Sequence, residues 1–368
     1  MRKVAYDDQI FRSQQFGGIS RYICEVASRV SALPDWTARI IAPLHLNEYL
    51  TESAVPHRGL VLDPTNPRSH GRCRHINRLL MNSLLRLYAP DVVHQTYYSD
   101  NSVRRPMKII LTVHDMIHEL FPQDFVSAER TTAVKRLSVL RADHIICVSQ
   151  NTAEDLIRIF EVPRTKISVI HHGFSRSFAR SVGEDGPSVQ RPYFLFVGHR
   201  GGYKNFTRAL TAFGASGRLT REFDFVAFGG GAFDAVELDL IDSLQLRGGA
   251  VRHEGGSDLD LARMYAGAYA FVYPSEYEGF GMPVLEAMSS GCPVACSNTS
   301  SVPEVAGDAA EYFDPTSVDA IRIALENLSD DQRRRTALIK AGRRQSAIFS
   351  WDRCAAQHAA VYSAVLND

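Results

Sequence analysis

Short apolar runs alternate with amphipathic segments along the whole chain. Residues 19–30, for example, carry apolar side chains at helical spacing, which indicates a helix with one buried face. Strands alternating with helices predict parallel sheets covered by helices on both faces. The candidate strands are Val4–Tyr6, Arg39–Ala42, Asp91–His94, Lys108–Val113, His144–Val148, Ile167–Ile170, Tyr193–Val197, Phe223–Phe228, Ala270–Tyr273 and Pro293–Cys296.

A polar stretch, residues 181–191, separates the two series of strands, and its glycine, proline and charged residues predict a linker. We therefore expect two Rossmann-like domains, 1–180 and 192–348, that face each other across a cleft. The length of 368 residues suits two domains, and residues 349–368 predict a final helix. Ligands of open parallel sheets bind beyond the carboxyl ends of the strands, where we look for candidate chemistry.

Charge and composition narrow the class of protein. The chain has 41 basic and 41 acidic side chains, with 45% hydrophobic residues, which is typical of a soluble globular protein and unlike a general nucleic-acid binder. The balance hides an asymmetry, because residues 1–180 carry 24 basic and 17 acidic side chains and the remainder carries 17 and 24.

The six cysteines are scattered without a metal-ligand spacing, so we expect free buried thiols. No run resembles a signal peptide or a membrane span, and we expect a cytoplasmic protein.

Two candidate ligand loops follow predicted strands. Gly17 and Gly18 precede the helix of residues 19–30, where free backbone N–H groups favour an anion, although a tight turn would have the same sequence. The strand Tyr193–Val197 is followed by Gly198, Arg200 and Lys204, which combine glycine with the positive charge that a diphosphate requires. A solvated turn is the alternative for this second loop.

The third candidate loop follows the strand Ala270–Tyr273. Glu278 lies on the loop and Glu286 on the helix that Pro283 begins, with glycines between the two carboxylates. The glycines free backbone amides to face a ligand, and Glu286 can accept from a pair of vicinal hydroxyls. The alternative, two surface glutamates, explains poorly why these residues share one junction.

One acidic string, Asp258-Leu259-Asp260, has the form of a metal-binding DxD motif. It follows Ser257 and precedes apolar residues at helical spacing, which is typical of a capped helix N-terminus with acidic first-turn residues. We therefore expect no metal site and no metal requirement.

The motifs together resemble glycosyltransferase family 4, whose retaining enzymes have the two-domain GT-B fold. The segment from Glu278 to Val294 resembles the EX7E signature of that family, and the resemblance extends in order along essentially the whole chain. It is closest to bacterial mannosyltransferase-like members that build O-antigen or exopolysaccharide chains. The other matching segments are Phe16–Tyr22, Leu111–Asp115, Ile145–Ser149, residues 194–205 and Ser301–Ala310.

The resemblance implies roles in the C-terminal domain, which would hold a nucleotide-sugar. Glu286 matches the glutamate that binds the ribose, Glu278 the one near the transferred sugar, and Lys204 the lysine that neutralises the diphosphate. Gly198 and Gly229 would border the nucleotide. The backbone amides of Phe280, Gly281 and Met282 would face phosphate or sugar oxygens.

Further roles follow from the same resemblance. Many members carry an arginine where this chain has His199 or Tyr203, so Arg200 is the candidate for that catalytic role. His114 matches a histidine at the cleft, Gly17 and Gly18 would approach the diphosphate, and the final helix would cross back to the N-terminal domain.

The resemblance implies a retaining, metal-independent hexosyltransferase with no cofactor, in which the leaving phosphate helps to deprotonate the acceptor. We expect mannose from GDP-mannose, with a UDP- or dTDP-sugar as the alternative, and a saccharide or lipid-linked saccharide acceptor. Two other classes are a nicotinamide-dependent oxidoreductase, which lacks a GxGxxG after the first strand, and a non-catalytic GT-B binding protein.

Residues 76–88 place apolar side chains on one helical stripe with arginines in and around it. Such a helix can lie on anionic lipid at the cytoplasmic membrane face, or it can pack on a Rossmann sheet with its arginines in water. Both interpretations are open at this point.

Overall fold

The chain divides into two compact units in the computed structural model, which describes residues 1–53, 55–57, 59–101, 103, 106–174 and 191–367. The first unit consists of Met1–Gly173 with Ser350–Asp368, and the second of Phe174–Phe349. The chain thus leaves the first unit before the predicted boundary at residue 180. The predicted linker lies outside the described residues, apart from Arg191.

The first unit contains eight described strands, six of which form one parallel sheet. They are β1 Arg2–Tyr6, β2 Trp36–Ile40, β3 Leu44–His45, β4 Leu60–Val61, β5 Val92–Gln95, β6 Lys108–Val113, β7 His144–Cys147 and β8 Ile167–Val169. The sheet runs in the order β2, β1, β5, β6, β7, β8, and β3 pairs separately with β4. The strand order reverses between β1 and β5, which makes the carboxyl ends of these two strands the switch point of the sheet.

The first helix of this unit packs through the apolar face that the sequence pattern predicts. The apolar residues of α1 that follow the predicted spacing are buried, including Tyr22, Val26 and Val30. The remaining helices before residue 174 are shorter or more exposed. The described helices of this part are α1 Gly18–Ser31, α2 Glu48–Glu52, α3 Ser69–Tyr88, α4 Ile117–Leu120, α5 Ala128–Arg141 and α6 Gln150–Phe160.

The second unit repeats the architecture with a second six-stranded parallel sheet. Its strands are β9 Tyr193–Val197, β10 Asp224–Phe228, β11 Val251–Glu254, β12 Ala270–Tyr273, β13 Val294–Ser297 and β14 Glu311–Phe313. Their order is β11, β10, β9, β12, β13, β14, so the switch point lies between β9 and β12. The sequence pattern missed the edge strands β11 and β14, because both are short and half-exposed.

The second unit contains eight described helices, and one further helix ends the chain. They are α7 Phe206–Gly214, α8 Leu219–Glu222, α9 Ala235–Ser243, α10 Asp258–Gly267, α11 Met282–Ser289, α12 Val302–Ala306, α13 Val318–Asp330, α14 Gln332–Ser346 and α15 Trp351–Asn367. Helix α15 belongs to the first unit, where it packs along α1. The expected return of the final helix to the N-terminal part is therefore confirmed.

Buried hydrogen bonds fix α15 to the first sheet. Nδ1 of His358 donates to the carbonyl of Cys354 at 2.8 Å, so Nε2 of the neutral ring accepts from the Tyr22 hydroxyl at 2.6 Å. The Tyr22 oxygen can then accept from Thr112 at 3.2 Å. Burial lowers the pKa of His358 to about 4, which is consistent with this neutral ring.

The same chain of bonds continues across β5. Thr112 accepts from Nε2 of His94 at 2.8 Å, which leaves Nδ1 of His94 to accept from the Tyr362 hydroxyl at 2.6 Å. Tyr362 in turn accepts from Tyr6 at 3.1 Å. The carbonyl of Cys354, at one end of this series of hydrogen bonds, thus determines the direction of every bond in the series.

Helix α3 buries only part of its surface. Cys73, Asn77 and Leu85 are buried, whereas Leu79 and Leu87 are 67% and 85% exposed. The predicted stripe is therefore divided between packing and solvent. No helix in the described part of the chain is both long enough and apolar enough to cross a membrane.

Two smaller expectations are confirmed. All six cysteines are free and buried. The DxD string begins α10, where the Ser257 hydroxyl accepts from the backbone N–H of Asp260 and the Asp260 carboxylate accepts from the backbone N–H of Ser257. This is a capping box, in which each residue satisfies one backbone N–H of the helix start.

Candidate active site

The loop after β9 is fastened to the loop after β12 across the switch point of the second sheet. Asn205 adopts a left-handed conformation with φ 61°, and its buried amide donates to the carbonyls of Pro274 at 2.9 Å and Pro315 at 2.8 Å. The backbone N–H of Glu276 donates to the carbonyl of Tyr203 at 2.8 Å. These bonds hold Lys204 beside the loop that carries Glu278.

Lys204 and Glu278 form an ion pair at this switch point. The Lys204 ammonium lies 2.7 Å from Oε1 of Glu278, and the two side chains are 19% and 11% exposed. An ammonium has three N–H donors, so the single bond to Glu278 orients Lys204 without using its full capacity. The pair therefore presents an oriented cation at the edge where a parallel sheet binds ligands.

Two serines fix the backbone around Glu278. The backbone N–H of Glu278 donates to the Ser300 hydroxyl at 3.0 Å, and Ser301 donates to the carbonyls of Glu278 and Phe280 at 2.8 and 2.9 Å. Gly281 follows with φ 110°, a conformation that favours glycine. The loop is thereby rigid before α11 begins.

Helix α11 starts at Met282 with Pro283 in its first turn and without a side-chain cap. An uncapped helix N-terminus carries partial positive charge and suits an oxyanion. Glu286 lies within the helix, where its Oε2 accepts from the Tyr265 hydroxyl at 3.4 Å. Burial, with the carboxylate nearby, raises the pKa of Tyr265 well above its usual value.

Arg200 occupies a place that its predicted catalytic role did not anticipate. Its side chain is buried and donates all five of its N–H groups inside the protein, two of them to the Glu237 carboxylate at 2.6 and 3.0 Å. The other three go to the carbonyls of Gly229, Gly231 and Ala232 at 2.8–3.0 Å. These contacts do not support direct diphosphate binding by Arg200, and that role stays a prediction.

The glycine triplet 229–231 follows β10 as a loop of left-handed residues, with φ between 75° and 80°. A Cβ at Gly230 would lie 2.8 Å from the carbonyl oxygen of Gly198, so a larger residue cannot occupy this position without movement of the backbone. The Gly229 carbonyl accepts from both Arg200 and His253, the latter at 3.2 Å. The loop is thus held from two sides.

His114 lies at the carboxyl end of β6 in the first unit. Its ring is buried, with an edge-to-face contact to Tyr22 at 5.2 Å between centroids, and burial lowers its pKa to about 4. Nε2 of His114 is buried and has no hydrogen-bond partner among the described residues. A neutral imidazole with an unused nitrogen can bind a hydroxyl without bringing a charge.

Gly17 and Gly18 stand at the start of α1, which has no side-chain cap. A Cβ at Gly17 would lie 2.2 Å from Oε1 of Gln14, whereas one at Gly18 would meet no atom within 4 Å. Oε1 is the end of a flexible side chain that can move, so packing requires glycine at neither position, and the predicted close approach of a ligand to Gly17 and Gly18 stays a prediction.

The structure brings Lys204, Glu278 and the start of α11 together at one sheet edge, as the spacing of the motifs predicts. Sequence reasoning missed the supports of this edge, namely Asn205, Ser300 and Ser301. It also missed Glu237, which is 37 residues from Arg200 along the chain. The asparagine directly after Lys204 was a readable turn signal, and Glu237 stands three residues after Asp234 at capping-box spacing, but nothing in the sequence pairs Glu237 with Arg200.

Comparison with known proteins gives one family. Residues 16–178 match the family model described as Glycosyltransferase Family 4, and residues 181–345 match the one described as Glycosyl transferases group 1. The chain is 35% identical over 291 residues to O-antigen chain mannosyltransferase B of Escherichia coli, covering 74% of each chain. It is 28% identical to O-antigen chain mannosyltransferase RfbU of Salmonella typhimurium, over 59% of this chain and 60% of that one.

Solved structures agree at the level of the fold. Sucrose-phosphate synthase of Thermosynechococcus elongatus superposes with a TM-score of 0.74 at 18% identity over the full length of both chains. HepE of Anabaena, solved with UDP and glucose, gives 0.72 at 14% identity over 99% of this chain and all of that one. The fold is GT-B, and the identities are too low for these two structures to say more.

Proposed function

The chain belongs to glycosyltransferase family 4, and from that premise we propose that it transfers a hexose, with retention of configuration, from a nucleoside-diphosphate sugar to a saccharide or lipid-linked saccharide. The first choice of donor is GDP-mannose, because the two relatives described above are mannosyltransferases by name. The setting we propose is synthesis of a surface polysaccharide.

The observation that carries this proposal is the Lys204–Glu278 pair at the switch point of the second sheet. Lys204 is oriented by a 2.7 Å bond and retains donors for the diphosphate, while the uncapped start of α11 adds positive potential beside it. Glu286, four residues into the same helix, is assigned to the ribose hydroxyls.

The proposed chemistry follows from where charge develops. The bond from the anomeric carbon to the β-phosphate oxygen breaks, and the acceptor hydroxyl oxygen bonds to the same carbon on the same face. The hydroxyl proton passes to the departing phosphate, which leaves as part of the nucleoside diphosphate. Lys204 and the backbone amides near Gly281 stabilise the negative charge on that leaving group, and stabilisation of this kind is usually the largest catalytic contribution. We assign His114 to a sugar or acceptor hydroxyl.

The principal test compares Lys204→Ala with a matched control. Lys340 is an exposed lysine of α14 in the same unit, and Lys340→Ala should leave transfer unchanged. We expect Lys204→Ala to lower kcat by 100-fold or more, on the order of the loss seen when one transition-state donor is removed. Equal activity of the two variants would overturn the assignment.

The donor, the metal requirement and the stereochemistry need separate measurements. A thermal-shift screen should show selective stabilisation by GDP, and a larger shift with UDP or dTDP would reassign the donor. Transfer should continue in excess EDTA, and activity that returns only with manganese would contradict metal independence. Proton NMR of the product should show the anomeric configuration of the donor.

We also propose that the first unit contacts an anionic membrane surface through α3. Leu79 and Leu87 are exposed on this helix, five arginines lie between residues 68 and 86, and no acidic residue occurs from 64 to 90. Exposed apolar side chains beside arginines suit the boundary of an anionic lipid layer.

Liposome sedimentation tests this contact. Replacing Leu79 and Leu87 with serine should release the protein from anionic vesicles, whereas Leu140→Ser, on exposed α5, should not. Replacement of Arg72, Arg74 and Arg78 by glutamate should have the same effect as the leucine changes. Unchanged sedimentation of both sets would remove the proposal.

A further inference from the structure

Lys135 of α5 is a lysine without any solvent exposure. Lysines are almost never fully buried unless they are paired, because an ammonium loses its hydration when it leaves water. Helix α5 packs beside the loop after β6, which carries His114. The chemistry proposed above gives Lys135 no role, so its burial and its contacts need a separate explanation.

The Lys135 ammonium holds the segment that directly follows His114 at the carboxyl end of β6. Its Nζ donates to the backbone carbonyl of Asp115 at 3.0 Å and to Oε2 of Glu119 at 2.6 Å. Asp115 precedes α4, where its Oδ1 accepts from the backbone N–H of Ile117 at 3.2 Å, and Glu119 lies in that short helix. One buried side chain thus fixes both ends of the segment 115–119, and with it the backbone next to His114.

The same ammonium contacts the end of the neighbouring strand. Nζ lies 5.1 Å from the centroid of the Tyr98 ring, and Tyr98 follows β5, which pairs with β6 in parallel. A ring face attracts a cation most strongly where water is excluded, and the Glu119 carboxylate on the other side is only 3% exposed. Lys135 therefore joins the carboxyl ends of β5 and β6 to α4.

Stability alone is a weak reason for a buried ion pair. Well-packed apolar residues of similar volume are often as stable as the pair or more so, because each buried charge loses its hydration. Two properties of Lys135, however, have no apolar substitute. One is the directed N–H bond to the Asp115 carbonyl, and the other is a positive charge close to His114.

The groups around His114 come from several elements of the first unit. They are Asp115 beside it, Lys135 on α5, His358 on α15, Tyr22 on α1 and His172 after β8. Burial lowers the pKa of His114 to about 4, while Asp115 raises this pKa and Lys135 and His358 lower it. His358 and His172 are neutral near pH 7, because burial lowers their own pKa values. Lys135 is thus the cation of this group that disfavours a proton on His114.

We propose that Lys135 is a positioning residue for sugar transfer, which fixes His114 through the Asp115 carbonyl and keeps the His114 ring neutral by its charge. This inference rests on the proposed function, in which His114 contacts a sugar or acceptor hydroxyl. A neutral imidazole can accept a hydrogen bond from such a hydroxyl, whereas an imidazolium can only donate. Both the place and the charge of the ring therefore matter for that contact.

Titration of the His114 ring, followed by NMR of the full chain with labelled histidine, tests the effect of the charge without any substrate. The chain has 13 histidines, so the signal that disappears in His114→Asn identifies this ring. Lys135→Met removes the charge and should raise the pKa of His114. Lys166→Met is the matched control, since Lys166 donates to the Val139 carbonyl of the same helix at 3.2 Å but precedes β8, at the amino end of the sheet. An unchanged His114 titration in Lys135→Met would overturn the inference.

A double variant separates positioning from folding. Lys135→Met alone leaves Glu119 buried without its cation, which destabilises the folded protein. Lys135→Met combined with Glu119→Gln leaves no unpaired charge in that place, and Asp115, whose carboxylate lies 3.8 Å from Nζ, is 29% exposed and keeps its contact with water. The double variant should fold and should still show a raised pKa of His114. Glu119→Gln alone keeps the ammonium, so it should not raise the pKa of His114, and an equal rise in Glu119→Gln would contradict the role of the Lys135 charge.

Kinetics distinguish this inference from the proposed function. If the wild-type protein transfers no sugar to any acceptor, the proposed function fails whatever the titration shows. In an active enzyme, the double variant should lower kcat about tenfold with the donor KM unchanged, since a misplacement of about 1 Å can cost up to about 100-fold. The acid limb of its pH profile should move to higher pH together with the His114 titration. Wild-type kcat and an unmoved acid limb in the double variant would make Lys135 a structural residue and overturn the inference alone.

Discussion

Replacing Arg200 by glutamine separates two roles that this residue could have. As a direct ligand of the diphosphate, Arg200 would affect turnover. As a structural residue that supports the loop 229–231, it would affect the stability of that loop. Its five N–H groups all go to the Glu237 carboxylate and to the carbonyls of Gly229, Gly231 and Ala232, so we expect the structural effect.

The magnitude follows from the burial of the pair. The side chains of Arg200 and Glu237 are 4% and 9% exposed, and removing one partner of a buried ion pair costs about 3–5 kcal/mol. Glu237 keeps a bond from the backbone N–H of Asp234 at 2.9 Å, so we expect the lower end, about 3 kcal/mol. Arg200→Gln combined with Glu237→Gln leaves no buried charge, and the double variant should recover roughly 2 kcal/mol relative to the sum.

Hydrogen exchange measured on peptides from residues 193–346 is the suitable assay for stability. Both tryptophans lie in the first unit, so their fluorescence does not report on the second. Arg263→Gln, at an exposed pair in α10, is the control and should change little. Nucleoside diphosphate affinity should fall in parallel in Arg200→Gln and Glu237→Gln.

A different pattern would refute this reasoning. If Arg200→Gln retained wild-type exchange rates and lost turnover, while Glu237→Gln remained active, the guanidinium would act on the substrate itself. The role that the sequence predicts for Arg200 would then be correct, and the contacts of its guanidinium would rearrange on substrate binding.

Three further predictions concern stability. Burial lowers the pKa of His114 and His358 to about 4, so the unfolded chain binds more protons than the folded protein below about pH 6.5. The free energy of unfolding should therefore fall between pH 6.5 and 4 by up to about 3 kcal/mol per histidine. A flat pH profile of urea unfolding, followed by tryptophan fluorescence, would contradict this. The pKa of the buried Asp7 carboxyl is raised to about 7, so its deprotonation destabilises the folded protein as the pH rises from 4 to 7. The free energy of unfolding of Asp7→Asn, relative to wild type, should therefore be up to about 4 kcal/mol higher at pH 8 than at pH 4. Ser257→Ala should cost about 1 kcal/mol through loss of the cap without altering activity in EDTA, and a dependence on added metal would speak against the cap as its only role.

Strands and ligand loops could be predicted where local pattern and tertiary environment agree. The runs 108–113, 193–197 and 270–273 are buried on both faces, and their observed bounds match the predicted ones. The edge strand Val251–Glu254 carries charged side chains on a half-exposed surface, so its pairing depends on β10 rather than on its own residues. Its existence could not follow from periodicity.

Side-chain partners were predictable only where both members belong to neighbouring motifs. Lys204 and Glu278 lie on the loops that follow adjacent strands, β9 and β12, so a parallel sheet brings them together. Arg200 and Glu237 also meet beside adjacent strands, but Glu237 lies in α9, whose approach depends on the turn of the glycine triplet. Residue type and spacing suggested a phosphate ligand at Arg200 because they cannot show that its donors are already used.

Net charge and site charge have opposite signs in the two halves of this chain. Residues 1–180 carry an excess of basic side chains, yet two buried carboxyls, Asp7 and Asp8, lie at the switch point of their sheet. The remaining residues carry an acidic excess, yet the Lys204–Glu278 pair places a cation at their switch point. Salt screens interactions between charges that are more than about 8 Å apart at physiological ionic strength. The excess charge of each half therefore has little influence on binding at its sheet edge and acts mainly on the approach of substrates and surfaces. Recognition is decided by the few groups at each sheet edge, which is why a chain without net charge can be expected to bind an anionic nucleotide donor.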